Sequence, residues 1–172
     1  GMGLIKCLID NKNIIKSKSE REISIAAICA KNKNKKRDID IDNLKWVQDP
    51  FDITDDKNID LVVELIGGDE NPSKSIVEKS LLNKKHVVTA NKSLIAKHGH
   101  YLALLAEEQE VCLSFEAAVA GAIPIIKAIK ESLSGNAISK VYGVINGTCN
   151  YILTQMEKEE KEYTTVFKKA QQ

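Results

Sequence analysis

The tetrapeptide Thr89-Ala90-Asn91-Lys92 closes the β-branched run His86-Val87-Val88 and puts a lysine where a strand would hand over to a helix. An ammonium group at the carboxyl edge of an open parallel sheet can orient a carbonyl or neutralise charge beside a nicotinamide ring. Thr89 and Lys92 are therefore candidates for cofactor contact, and Lys92 also for placing a substrate. The alternative is a surface lysine beside a loop, with Asn91 capping the helix that starts near Ser93. Gly67-Gly68 stops the apolar run Leu61–Ile66 in the equivalent position. A glycine pair there lets a ribose or phosphate reach the backbone, which makes Gly67 a cofactor candidate; a plain turn is the other reading.

Four further segments could carry chemistry. After the run 22–30 come Lys31, Lys33, Lys35, Lys36 and Arg37, with no acid before Asp38. In a dinucleotide domain an acid at this place bonds the ribose 2′-hydroxyl, and a base accommodates a 2′-phosphate. The run predicts NADP over NAD, with Lys31 nearest the strand end; a solvated lysine-rich loop is the alternative. Gly1 and Gly3 fit the tail of a glycine fingerprint at a helix start, or a frayed end. Glu116 stands in the apolar segment 115–124, where a carboxylate needs a partner. Irregular Ala/Gly backbone around it could complete an oxygen-rich cation site, or the carboxylate could accept bonds from backbone amides. In Asn146-Gly147-Thr148-Cys149-Asn150, either Asn146 or Thr148 can cap the following helix, whose free amides could hold an anion.

The four cysteines, Cys7, Cys29, Cys112 and Cys149, lie far apart without a CxxC pair. They read as reduced, mostly buried thiols rather than a disulfide framework or zinc site. Cys149 has no histidine in its motif and is not read as a nucleophile. His98 and His100 show no metal spacing and belong to a helix surface or kink.

The elements that must position these residues alternate. Helical spacing covers 3–16, with Leu4, Ile5, Leu8 and Ile9 inward. Strands are expected at 22–30, 61–66, 86–90, 111–117 and 137–146. Between them lie helices at 72–83, with Ile76, Val77, Leu81 and Leu82 inward, and at roughly 93–109. Another follows Pro124, with Ile125, Ile126 and Ile129 inward, and the chain from Cys149 on reads as helical. This pattern calls for βαβ units: an α/β, Rossmann-like, doubly wound and mostly parallel sheet. The small-residue stretch 117–124 is read as the junction to a second, α+β domain, dividing the chain into 1–117 and 118–172. Both termini read as interior to a longer pattern.

Net charge is +1, from 25 basic and 24 acidic residues, so no global charge draws the chain to nucleic acid or a membrane surface. No apolar run nears the ~18 residues of a spanning helix, and the segment GMGLIKCLIDNK is not expected to be a secretory leader. A cytoplasmic protein is expected.

Four ordered segments, ELIGG (64–68), HVVTANKSLIAKHG (86–99), FEAAVAGAIPIIK (115–127) and VINGTCNYIL (144–153), resemble homoserine dehydrogenase, in its single-function form. The resemblance implies NAD(P)H-dependent interconversion of L-homoserine and L-aspartate 4-semialdehyde, on the route to threonine, methionine and isoleucine. It implies a homodimer for the full-length protein and a small-molecule substrate. Lys92 matches the cofactor- and substrate-adjacent lysine. Glu116, Val119, Gly121 and Ile123 match a sodium site: a carboxylate from the first, backbone oxygens from the others. Gly1 matches the last glycine of GxGxxG, leaving the first strand outside the chain. The family's proton-donating lysine and homoserine-binding carboxylates fall beyond Gln172, so the chain alone is expected to transfer hydride poorly. The competing reading is an inactive remnant, or a nucleotide-binding or dimerisation module. Two departures stand out: GAIP for GGIP at Ala122, and NGTCN for NGTTN at Cys149.

Overall fold

The computed structural model describes residues 1–143 and 146–170. The chain divides into two compact units, Gly1–Ser134 and Gly135–Gln172.

The first unit is built on strands β1 (Leu61–Glu64), β2 (His86–Thr89) and β3 (Leu113–Ser114), ordered β1-β2-β3. Both pairings are parallel, with Leu61 opposite His86, Glu64 opposite Thr89 and Val87 opposite Leu113. Parallel neighbours need a crossover. Helix α4 (Ser73–Leu82) supplies it between β1 and β2, and α5 (Lys92–Glu108) between β2 and β3. The expected α/β class and parallel sheet are therefore present.

Alternation along the strands decides the core. Val62 and Glu64 of β1 and Val87 and Thr89 of β2 are buried, while Leu61, Val63 and Val88 are exposed. On the helices, Val77 and Leu81 of α4 meet Leu94, Leu102, Leu105 and Ala106 of α5, together with Val87 and Leu113. Residues 94, 102, 105 and 106 recur on one helical face, which is why this long segment folds as a helix against the sheet. Fully burying a leucine such as Leu94 or Leu102 contributes roughly 1.5–3 kcal/mol. A smaller cluster of Ile59, Val62 and Ile76 packs with Phe51 and Ile53 of α3 (Phe51–Asp55). Lys79 fastens α3 to α4: its Nζ lies 2.7 Å from Asp55 and 5.3 Å from the centre of the Phe51 ring.

Several expectations fail on partnering. The run 22–30 is not a strand; a single parallel bridge joins Ile28 to Trp46. Its amides and carbonyls find no ladder, and Ile23 stays exposed. The predicted helix 3–16 is two helices, α1 (Met2–Asp10) and α2 (Lys12–Ser19), meeting at Asn11. Of its apolar face only Ile5 is buried; Leu4 and Ile9 are exposed. Leu82 is exposed as well, and Ser73 and Ser80 take the inward positions on α4 instead. The strand at 111–117 shrinks to β3, and Glu116 begins a short helix, α6 (Glu116–Val119). After Pro124, α7 (Ile125–Lys127) continues as a wide turn over Ala128–Ser132, with no residue of either segment buried. Three of the four cysteines are exposed, and Cys29 is half-buried; burial, with Asp49 and Asp52 nearby, pushes the Cys29 thiol pKa up.

In the second unit, α8 (Gly147–Glu159) and α9 (Tyr163–Ala170) pack together, and Ile152 and Val166 are buried. Residues 137–143 form no strand. The rest of that expectation, and the start of the VINGTCNYIL segment, includes residues 144 and 145, which lie outside the described residues.

Candidate functional site

Strand β1 ends on Glu64, a carboxylate in an apolar run, and its side chain is only 2% exposed. Among the described residues no cation answers it. Its Oε1 accepts the backbone N–H of Ile66 at 2.7 Å and of Gly67 at 3.3 Å, and its Oε2 accepts the Thr89 hydroxyl at 2.6 Å. The chain can curl back onto its own carboxylate because Gly67 (φ +89°) and Gly68 (φ +81°) adopt left-handed conformations, which side chains disfavour.

The network continues across the sheet edge. Thr89 Oγ1 accepts the Asn91 N–H at 3.0 Å. The Asn91 side chain then works twice: Oδ1 accepts the Leu94 N–H at 3.1 Å, capping α5, and Nδ2 donates to the Gly68 carbonyl at 2.6 Å. Ser73, at the start of α4, donates its hydroxyl to the Gly67 carbonyl at 2.8 Å. The glycine turn is thus tied to β2, α4 and α5 at once. Farther out, Lys97 pairs with Asp69 and Glu70. Its ammonium holds both carboxyl pKa values below their ordinary range, and they raise its own.

Lys92 is the first residue of α5 and is exposed, at the same edge as Gly67 and Gly68. The amino ends of α4 and α5 both start at this edge. Their unpaired N–H groups and dipoles favour negative charge there. The edge therefore offers positive backbone ends, one lysine ammonium, and a glycine turn whose Gly67 N–H already serves a carboxylate.

The other expected site residues lie elsewhere in the first unit. Lys31 is exposed in the basic loop. That loop is shaped by Arg37, whose guanidinium donates to the carbonyls of Asn32, Lys33 and Lys35 and stacks 5.0 Å from the centre of the Trp46 ring. Gly1 precedes α1, and its carbonyl accepts the Ile5 N–H at 3.1 Å. The Glu116 carboxylate accepts two backbone amides: Oε1 takes the Ile126 N–H at 2.8 Å and Oε2 the Lys127 N–H at 2.9 Å. The Ile123 carbonyl accepts the Ile125 N–H at 2.8 Å. Val119 and Ile123 are exposed, as is Gly121. Among the described residues no cluster of three His, Cys, Asp or Glu could hold a metal ion. A cation beside Glu116 would need backbone oxygens and the second lone pair of each carboxylate oxygen. In the second unit, Asn146 and not Thr148 caps α8, its Oδ1 accepting the Cys149 N–H at 2.9 Å.

Glu64 is the residue the sequence reading passed over. Its signal was an acid inside Leu61–Ile66, three residues before a glycine pair: a buried anion that needs nearby amides, followed by backbone able to turn them inward.

A hollow of about 440 Å3 opens at the opposite edge of the sheet, among Lys57, Asp60, Asn83, Lys84, Lys85 and His86. The residues expected to bind ligand do not line it.

A sequence model described as homoserine dehydrogenase, NAD binding domain, matches residues 8–116, and one described as homoserine dehydrogenase matches residues 124–172. Homoserine dehydrogenase of Neisseria gonorrhoeae is 44% identical over 99% of this chain, and that of Bacillus subtilis 39% identical over the same share. The chain covers 39% of the length of each. The crystal structure of a homoserine dehydrogenase from Thiobacillus denitrificans superposes with a TM-score of 0.83 at 41% identity, over 99% of this chain and 39% of that one. A mutant hyperthermophilic archaeal homoserine dehydrogenase in complex with NADPH superposes at 0.62 with 28% identity, over 74% of this chain and 39% of that one.

Proposed function

The chain belongs to the homoserine dehydrogenase family, and we propose that the protein carrying it interconverts L-homoserine and L-aspartate 4-semialdehyde with a nicotinamide cofactor, NADP in preference to NAD. The observation that supports this most directly is the meeting of the Gly67-Gly68 turn, Lys92 and two helix amino ends at one edge of a parallel sheet. Nucleotides bind at that edge in open α/β sheets. Reduction of the aldehyde delivers hydride to its carbon and leaves an alkoxide on its oxygen. A cation or proton donor must stand by that oxygen. Lys92 is the cation we assign to hold the carbonyl end of the substrate and the nicotinamide side of the cofactor. Thr89 and Gly67 stand at the same edge, Gly1 would hold the pyrophosphate, and Lys31 would hold the 2′-phosphate. We further assign a sodium ion to Glu116 with the backbone oxygens of Val119, Gly121 and Ile123.

The test is the full-length protein with homoserine and NADP at alkaline pH, followed by the absorbance of the reduced cofactor. Turnover is expected, with NADP bound more tightly than NAD, and Lys31→Glu is expected to reverse that order. Absence of turnover and of nucleotide binding would overturn the reading. The 172-residue chain, spanning 39% of the relatives' length, is expected to bind cofactor without turnover. For the cation, Glu116→Gln is expected to abolish any rise of the melting temperature with sodium over potassium.

A further inference from the structure

We propose that Glu64, Thr89 and Asn91 form the positioning unit of this site, fixing the glycine turn against the first turn of α5 and so setting where Lys92 stands toward the ligand. The inference rests on the cofactor reading above and adds residues that do not themselves touch the reacting atoms.

All three side chains are at least nine-tenths buried. They form an unbroken hydrogen-bonded path from the Ile66 and Gly67 amides, through Glu64 and Thr89, to the Asn91 N–H and the cap of α5. A return bond from Asn91 Nδ2 reaches the Gly68 carbonyl. The path is directional. The carboxylate only accepts, so Thr89 must spend its single proton on Glu64, which leaves its lone pairs to the Asn91 amide. That assignment orients the Asn91 backbone, and Lys92 is the next residue. A ring of linked donors and acceptors in a buried place favours one low-energy arrangement. Lys92 and the turn are held in register with each other by this ring, before any ligand arrives.

The polarity makes the idea testable at one atom. In the full-length protein, Thr89→Val deletes the hydroxyl at nearly constant volume, and Thr89→Ser keeps it. Thr54→Val serves as control: its hydroxyl is equally buried but donates to the Phe51 carbonyl, at the other edge of the sheet. Fluorescence titration with NADPH is expected to show about tenfold weaker binding for Thr89→Val, which removes both the bond to the Glu64 carboxylate and the acceptor of the Asn91 N–H. Thr89→Ser is expected to bind within about twofold of wild type by the same scale. Thr54→Val should melt at a lower temperature yet bind NADPH as wild type does. Wild-type affinity in Thr89→Val, failure of Thr89→Ser to restore it, or an equal loss in Thr54→Val would each overturn the proposal. If the wild-type protein binds no nicotinamide nucleotide, the cofactor reading fails separately. Hydrogen exchange then decides the positioning claim: faster exchange of the Ile66 and Gly67 amides in Thr89→Val but not in Thr54→Val supports it, and equal exchange in both refutes it.

Discussion

The two edges of the sheet each bury a charged side chain, and they are mirror images in charge. At the carboxyl edge Glu64, 2% exposed, is surrounded by N–H and O–H donors. At the amino edge Lys85, 4% exposed, donates to the carbonyls of Asp56 at 2.5 Å and Ile59 at 2.7 Å. Among the described residues neither has an oppositely charged partner. The difference follows the helices. Helices α4 and α5 begin at the carboxyl edge and finish at the amino edge. Their dipoles put partial positive charge at one and partial negative charge at the other. Lys85 sits just past the end of α4, where its own N–H donates to the Ser80 carbonyl at 2.9 Å. The comparison teaches why the roomy hollow is not the candidate site. The amino edge is shaped to satisfy carbonyls with a resident cation, whereas the carboxyl edge still presents helix amino ends and an exposed lysine.

The strongest way to break this comparison is to delete the two charges. Lys85→Met leaves two carbonyls without their donor and is expected to cost about 2–4 kcal/mol in urea denaturation, at the scale of hydrogen bonds to a charged group. Glu64→Leu should cost a similar amount, about 2–4 kcal/mol, because the Ile66 and Gly67 amides and the Thr89 hydroxyl lose their acceptor. The edges separate in function: Lys85→Met should leave cofactor affinity unchanged, and Glu64→Leu should lower it. Equal loss of affinity in both would dissolve the distinction.

Next in size is the cap. Asn91→Ala removes the bond to the Leu94 N–H and the tie to Gly68, and is expected to lower stability by about 1–2 kcal/mol. A change of opposite sign is expected at Ala122, whose φ of +62° lies in the left-handed region. Ala122→Gly should raise stability by about 1 kcal/mol, measured by thermal or urea unfolding, because the Cβ is what strains that conformation.

The smallest effect belongs to the exposed clasp around Lys97. Its ammonium depresses the Asp69 and Glu70 pKa values, so the stability it lends is present above the ordinary carboxylate range of about 4. It is lost as pH falls through the lowered folded values. Wild type and Lys97→Met should therefore differ slightly at pH 7 and converge in acid; a difference that grows as pH falls would contradict the assignment. Raising the salt concentration should shrink it at pH 7 as well, since all three groups are exposed.

Residues 61–109 were legible because each element there finds its partner within reach. β1, α4, β2 and α5 pack on one another, and the apolar period alone names Ile76, Val77 and Leu81 as core. The runs 3–16, 22–30 and 125–129 have the same quality of pattern but gain little burial, since period reports which face could be buried and not whether anything covers it. Strand–turn–helix order placed Lys92, Thr89 and Gly67 at the carboxyl edge of the sheet, where they stand. Glu64 was passed over because a single carboxylate in an apolar run looks like an interruption until its donors are known.

Sequence by itself determined the alternation of elements, the family, and the residue types standing at the sheet edge, because periodicity and motif order are properties of one dimension. Tertiary structure alone decided that Glu116 bonds the amides of Ile126 and Lys127, that Arg37 organises the basic loop, and that Glu64 anchors the glycine turn. Those are choices of partner. A buried polar atom takes whichever complementary group the fold brings within about 3 Å, and that distance is set by how the elements pack.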